Sequence, residues 1–123
     1  MKIREIKELL NADVVCGEDA LDSDVFSACG SDMMSDVLAF VKDQGVLLTG
    51  LVNPQVIRTA EMMDMRCIVF VRNKVPNENM IELAEDNGIT LLTTSTRMFE
   101  ACGQLYAAGL RGKLKGTGGD SDV

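Results

Sequence analysis

The residues able to do chemistry cluster where apolar runs stop. Gly30-Ser31-Asp32 follows the run 25–29, and Thr49-Gly50, with Asn53 shortly after, follows 46–48. Arg72-Asn73-Lys74 follows 67–71, and Thr93-Thr94-Ser95 ends the run beginning at Ile89. Hydroxyls, backbone N–H groups and a guanidinium on adjacent loops form a set that can receive a phosphate, a carboxylate or a nucleotide. The candidate ligand-binding residues are therefore Ser31, Asp32, Thr49, Gly50, Asn53, Arg72, Thr94 and Ser95. Several have a second account: Ser31, Asn53, Asn77 and Ser95 are the residue types that cap helices.

Other chemistries find little support. The chain has no histidine, which removes Ser-His-Asp triads, His-ligated zinc and imidazole acid–base catalysis. The glycine-rich end GTGGDSDV lacks the Gly-Lys-Ser/Thr of a P-loop, and no GxGxxG follows a strand. Cys16, Cys29, Cys67 and Cys102 are widely spaced among small or apolar neighbours and read as buried free thiols of a reducing compartment. The acidic stretch 18–24 carries four carboxylates but not the glycine and terminal glutamate of a calcium loop, so it reads as a solvated connection. No catalytic residue, metal site or cofactor is expected, and the protein reads as a non-catalytic one.

The elements that must position the candidate residues follow from periodicity. Ile3, Ile6, Leu9 and Leu10 predict an amphipathic helix over 2–10. Strands are expected at 12–17, 25–29, 46–49, 67–71 and 89–93. Residues 67–71 show no alternation, as expected of a strand covered on both faces. A helix with Ser31 or Asp32 as N-cap is expected through MMSDVLAFVKD, with Met33, Met34, Val37, Leu38 and Val41 on its inner face. Asn53 and Pro54 predict a helix start, with Val56, Ile57, Ala60 and Met63 turned inward. Asn77 caps a further helix that ends at Gly88, and a last helix spans 97–108. Strands beginning at Val46, Cys67 and Ile89 with one helix between each pair predict βαβ crossovers. The fold class expected is α/β, a three-layer sandwich in which helices cover a largely parallel sheet of about five strands.

The 123 residues suit one domain, placed at 1–110 and followed by a flexible glycine-rich tail at 111–123. A composition of 46% hydrophobic and 25% charged residues is that of a soluble globular protein with an aliphatic core, since Trp is absent. The net charge of −7 removes the general attraction to phosphate backbones and anionic membranes, so neither nucleic acid nor membrane is an expected partner. The amino terminus MKIREIKELLN lacks the apolar core of a signal peptide, and no apolar run is long enough to span a bilayer. A cytoplasmic location is expected.

The order GEDALDSDVFSACGSDMMSDVLAFVKDQGVLLTGLVNPQVIRTAEMMDMRCIVFVRN, then a helix and ITLLTTS, resembles the DRTGG domain over about residues 1–110. Its most specific parts are Gly30-Ser31-Asp32 with Ser35-Asp36-Val37-Leu38, and Gly45-Val46-Leu47-Leu48-Thr49-Gly50. Leu51 stands where a second glycine of the family's Thr-Gly-Gly would fall. The resemblance implies a regulatory or structural role, because such domains occur inside phosphotransacetylases and between the CBS domains of some inorganic pyrophosphatases. It also implies a fold similar to the amino-terminal domain of HPr kinase/phosphorylase, without the P-loop its kinase activity needs.

The reading that follows is a cytoplasmic regulatory or ligand-sensing module, a homodimer that binds a small phosphorylated or nucleotide ligand or an enzyme partner. Two alternatives stay open: a structural interaction domain without a ligand, and an enzyme acting on a phosphorylated metabolite with Asp32, Thr49 and Arg72 around a metal.

Overall fold

The short apolar runs pair side by side into one sheet. In the computed structural model, which describes residues 1–39 and 44–112, β1 (Asp13–Cys16), β2 (Ala28–Gly30), β3 (Val46–Thr49), β4 (Cys67–Phe70) and β5 (Thr90–Thr93) form a five-stranded sheet of order β1-β5-β4-β3-β2. The strands β2, β3, β4 and β5 are mutually parallel, and β1 runs antiparallel along β5 with a bulge between Val14 and Cys16. This is the expected α/β sandwich.

The strand order decides where the helices go. The parallel strands are laid down in one direction across the sheet, so crossovers of one hand put all their helices on one face. Those helices are α2 (Met34–Val37), α3 (Pro54–Met62) and α4 (Glu78–Asp86). They bury Val37, Val56, Ile57, Ala60, Met80 and Ala84 against Leu47, Ile68, Phe70 and Leu91. The opposite face is left to the terminal helices α1 (Ile3–Leu9) and α5 (Met98–Ala107). Ile3, Ile6, Ala101 and Leu105 there meet Val46, Leu48, Val69 and Leu92. Every residue of β3 and β4 is buried, which accounts for their unbroken apolar sequence.

The caps of the two long crossovers are those expected. Asn53 accepts from the Gln55 N–H at 2.8 Å with Pro54 in the first turn, and Asn77 accepts from Met80 N–H at 3.0 Å. Gly88 follows the α4 C-cap at φ +67°, a left-handed conformation that glycine adopts freely.

Three expectations are corrected. The second strand starts at Ala28 rather than Val25, because the preceding N–H groups go elsewhere: Val25 donates to Met1 O and Phe26 to Gln44 O. The next helix covers only Met34–Val37, with Met33 as N-cap instead of Ser31 or Asp32. Ser31 Oγ accepts from Met33 N–H, and the Asp32 carboxylate is drawn away to the neighbouring strand end. Of the expected inner face, Val37 is fully buried, whereas Met33 and Leu38 are exposed. Val41 lies outside the described residues, as does most of the tail, 113–123. Among the described residues, no helix is long and apolar enough to cross a membrane.

Candidate functional site

The carboxyl ends of β2, β3 and β4 meet at Asp32. Gly50 N–H donates to Asp32 Oδ1 at 2.7 Å, and the Thr49 hydroxyl donates to the same oxygen at 3.1 Å. Nη2 of Arg72 stands 3.8 Å from the other carboxylate oxygen, Oδ2. Thr49 is itself buried and accepts from Leu51 N–H at 3.1 Å, which fixes its hydroxyl toward Asp32. A carboxylate is thus held by a backbone N–H, a hydroxyl and a guanidinium, three donors that would serve a phosphoryl oxygen equally well.

The parallel register produces this meeting. Gly30 pairs with Leu48 and Thr49 with Phe70, so the loops leaving β2, β3 and β4 emerge together at one edge. In open α/β sheets ligands collect at the carboxyl ends where the strand order reverses; β2, β3 and β4 run in one direction, so here the register alone brings the loops together.

Arg72 reaches the site through an unusual backbone. Arg72 and Asn73 have φ of +59° and +62°, and Lys74 N–H donates to Val71 O at 3.2 Å. This is a type I′ turn, which favours Asn or Gly at both central positions. A non-glycine residue held left-handed costs about 1–2 kcal/mol. The guanidinium lies against Gly50: a Cβ at position 50 would collide with Nη2 and sit 3.2 Å from Nε and Cζ. Asp32 and Arg72 are each about half exposed, so the ion pair is reachable from solvent.

The remaining candidates lie elsewhere. Asn53 is the α3 cap, with its side chain oxygen committed to Gln55. Ser31 makes a local turn with Met33. Thr94 is buried, donating to Leu10 O at 2.7 Å and accepting from Thr96 N–H, so it ties the end of α1 to the loop after β5. Ser95 is exposed on the rim of a second, polar hollow of about 260 Å³, lined also by Asn11, Asp13, Asn73, Thr93 and Thr94. Asn73 lines this hollow while Arg72 points to Asp32, so the turn divides the two. Nothing local marks Asp13 in sequence, since its place depends on β1 pairing beside β5. The one signal is that Asn11, like Asn73, is of a type that tolerates its left-handed φ, here +50°.

Among the described residues, no three His, Cys, Asp or Glu side chains are grouped to hold a metal ion. Burial pushes the Cys29 thiol up to about 11 and also raises Cys16, Cys67 and Cys102, the opposite of what a reactive thiol needs.

No family model matches the chain, and no curated protein sequence matches it. Among solved structures it is similar to the CBS and DRTGG domains of the regulatory region of Clostridium perfringens pyrophosphatase, crystallised with its activator diadenosine tetraphosphate. The TM-score is 0.67 at 17% identity, over 85% of this chain and 45% of that one. The chain therefore spans less than half of that regulatory region's length, and at this identity the likeness is one of fold.

Proposed function

We propose that this chain is a DRTGG-type regulatory module that senses a small anionic ligand, of phosphorylated or nucleotide type, at the carboxyl ends of β2, β3 and β4. The observation that carries the reading is the seated carboxylate: Gly50 N–H, Thr49 Oγ1 and Arg72 already hold an oxyanion at the carboxyl ends of the strands. The left-handed Arg72 supports it, because a costly backbone at a strand end points to a role for that side chain beyond folding. The similar pyrophosphatase region is regulatory and was crystallised with a nucleotide activator, which agrees with a sensing role for this fold. Thr49, Gly50 and Arg72 bind the ligand, Ser31 and Asn53 shape the loops that leave β2 and β3, and Thr94 and Ser95 take no part.

A second reading, an interaction module, rests on the exposed apolar side chains. Phe99 is 85% exposed, and Tyr106 and Met33 about 60%. Such residues are suited to contact a twin copy or an enzyme partner, and the module acts as a homodimer. Sedimentation equilibrium giving only monomer would remove the dimer.

The test of the ligand site is a thermal-shift screen with nucleotides, acyl phosphates, phosphorylated sugars and nicotinamide cofactors. A ligand at 100 times its Kd stabilises by about 2.7 kcal/mol. A hit lost in Arg72→Ala supports the site. A screen without hits turns the reading to the interaction module.

A further inference from the structure

We infer that Asp32 is a built-in competitor for the anion site, a latch that an incoming phosphoryl or carboxylate group displaces. This rests on the proposed ligand site and states how it is regulated. Three observations carry it. The Gly50 N–H and the Thr49 hydroxyl, the two direct donors of the site, are both spent on one oxygen of Asp32. A second anion cannot use them while that oxygen is seated, and two anions on one pair of donors repel. Asp32 and Arg72 are also half open to solvent, so displacement needs no opening of the core.

The segment bearing the latch is built to move. Asp32 lies between β2 and the single turn of α2, and neither Ser31 nor Asp32 caps that helix. Val37 is the one residue of α2 that is fully buried, while Met33 and Leu38 stand out from the surface. Release of Asp32 leaves the Ser31 N–H bonded to Leu48 O at 3.0 Å and Met34 and Val37 packed on the core, so the part freed to shift is residues 32–33. Ligand occupancy at β3 is thereby converted into a change of position of the exposed Met33 side chain, which is the output a regulatory module needs. No covalent step is involved: one anion replaces another on the same donors.

The same geometry sets what the ligand group must offer: two oxygens, as the Asp32 carboxylate has. Arg72 supplies charge at 3.8 Å rather than a close bidentate grip, and the two near donors converge on a single oxygen. A terminal phosphoryl group, with one oxygen on Gly50 and Thr49 and another turned to Arg72, satisfies all three at once.

The experiment titrates inorganic pyrophosphate into uniformly ¹⁵N-labelled full-length protein, wild type and Asp32→Ala, following backbone amides at constant ionic strength. In the wild type the Gly50 and Met33 amides should shift with one common Kd. In Asp32→Ala the Met33 amide should already sit displaced and move little on titration, while Gly50 still responds. Pyrophosphate should bind the variant tighter by on the order of fivefold, since the apparent affinity is reduced by the fraction of molecules in which the latch is seated. Tighter binding alone does not decide, because removing a negative charge raises anion affinity without any displacement. The amide pattern does. If Gly50 moves and Met33 stays fixed in the wild type, the latch is overturned and the anion site survives. If Gly50 moves in neither protein, the anion site fails, and the latch with it.

Discussion

The guanidinium of Arg72 rests against the α-carbon of Gly50, leaving no room for a side chain at position 50. Gly50→Ala therefore pushes Arg72 off the site. The neighbour that must give way is the tip of a flexible chain, so folding suffers little, and replacing glycine reduces the entropy of the unfolded state by about 0.4–1 kcal/mol. The expected outcome is a stability change within about 1 kcal/mol in urea unfolding, with loss of the ligand-induced thermal shift. A variant that retains the shift shows that Arg72 need not stand where it does.

Arg72→Gly separates folding from function in the same way. It relieves a left-handed non-glycine backbone worth about 1–2 kcal/mol and forfeits an exposed ion pair worth about 0–1 kcal/mol. A new glycine also costs about 0.4–1 kcal/mol in unfolded-state entropy, so the variant should lie within about 1 kcal/mol of the wild type, yet fail to bind. A marked loss of stability would mean that the Arg72–Asp32 contact holds the fold.

Two buried threonines should respond in opposite senses to the same change. Thr94 donates to Leu10 O at 2.7 Å and accepts from Thr96 N–H, so Thr94→Val leaves Leu10 O the longer 3.4 Å bond from Thr96 Oγ1, takes the acceptor from Thr96 N–H, and should cost about 1–3 kcal/mol. Thr59 on α3 is fully buried with its hydroxyl unpartnered among the described residues, so Thr59→Val should be neutral or stabilise. Chemical denaturation of both variants checks the pair, and equal losses would contradict it.

Much of the scaffold was legible because its causes are local. The apolar runs at Val46, Cys67 and Ile89, the caps Asn53 and Asn77, and Gly88 each act within a few residues of themselves, and each falls where expected. The candidate site was legible only in part. Asp32, Thr49, Gly50 and Arg72 were marked by type and position at strand ends, but their mutual contact depends on the order of β2, β3 and β4. The same contact explains the miscast helix: Asp32 is an able cap, yet its carboxylate is claimed by Gly50, far away in sequence. The hollow at Asn11 and Asp13 was hidden for a similar reason, since the direction in which β1 joins β5 leaves no trace in its residue pattern.

Burial of the thiols makes the fold less stable in alkali. Cys29 is raised by burial from the ordinary 9.0 to about 11, so between these values the folded chain holds a proton that the unfolded chain has lost. Its stabilising contribution is complete below pH 9.0 and vanishes as pH rises through about 11. Unfolding free energy should therefore fall over this window, and less steeply in Cys29→Ala. Alkylation of Cys29 by iodoacetamide at pH 8 should be slow in the folded protein and fast in urea. Rapid labelling of the native thiol would contradict its burial.

The most direct test of the central claim is an amide titration of the wild-type protein with ATP at constant ionic strength. The account predicts shifts concentrated at Gly50, Leu51 and Arg72, saturating together, while Gly88 at the far end of α4 stays still. Saturating shifts confined to Asn11, Asn73 and Ser95, or no saturating shift anywhere, would contradict an anion site at Gly50 and Arg72.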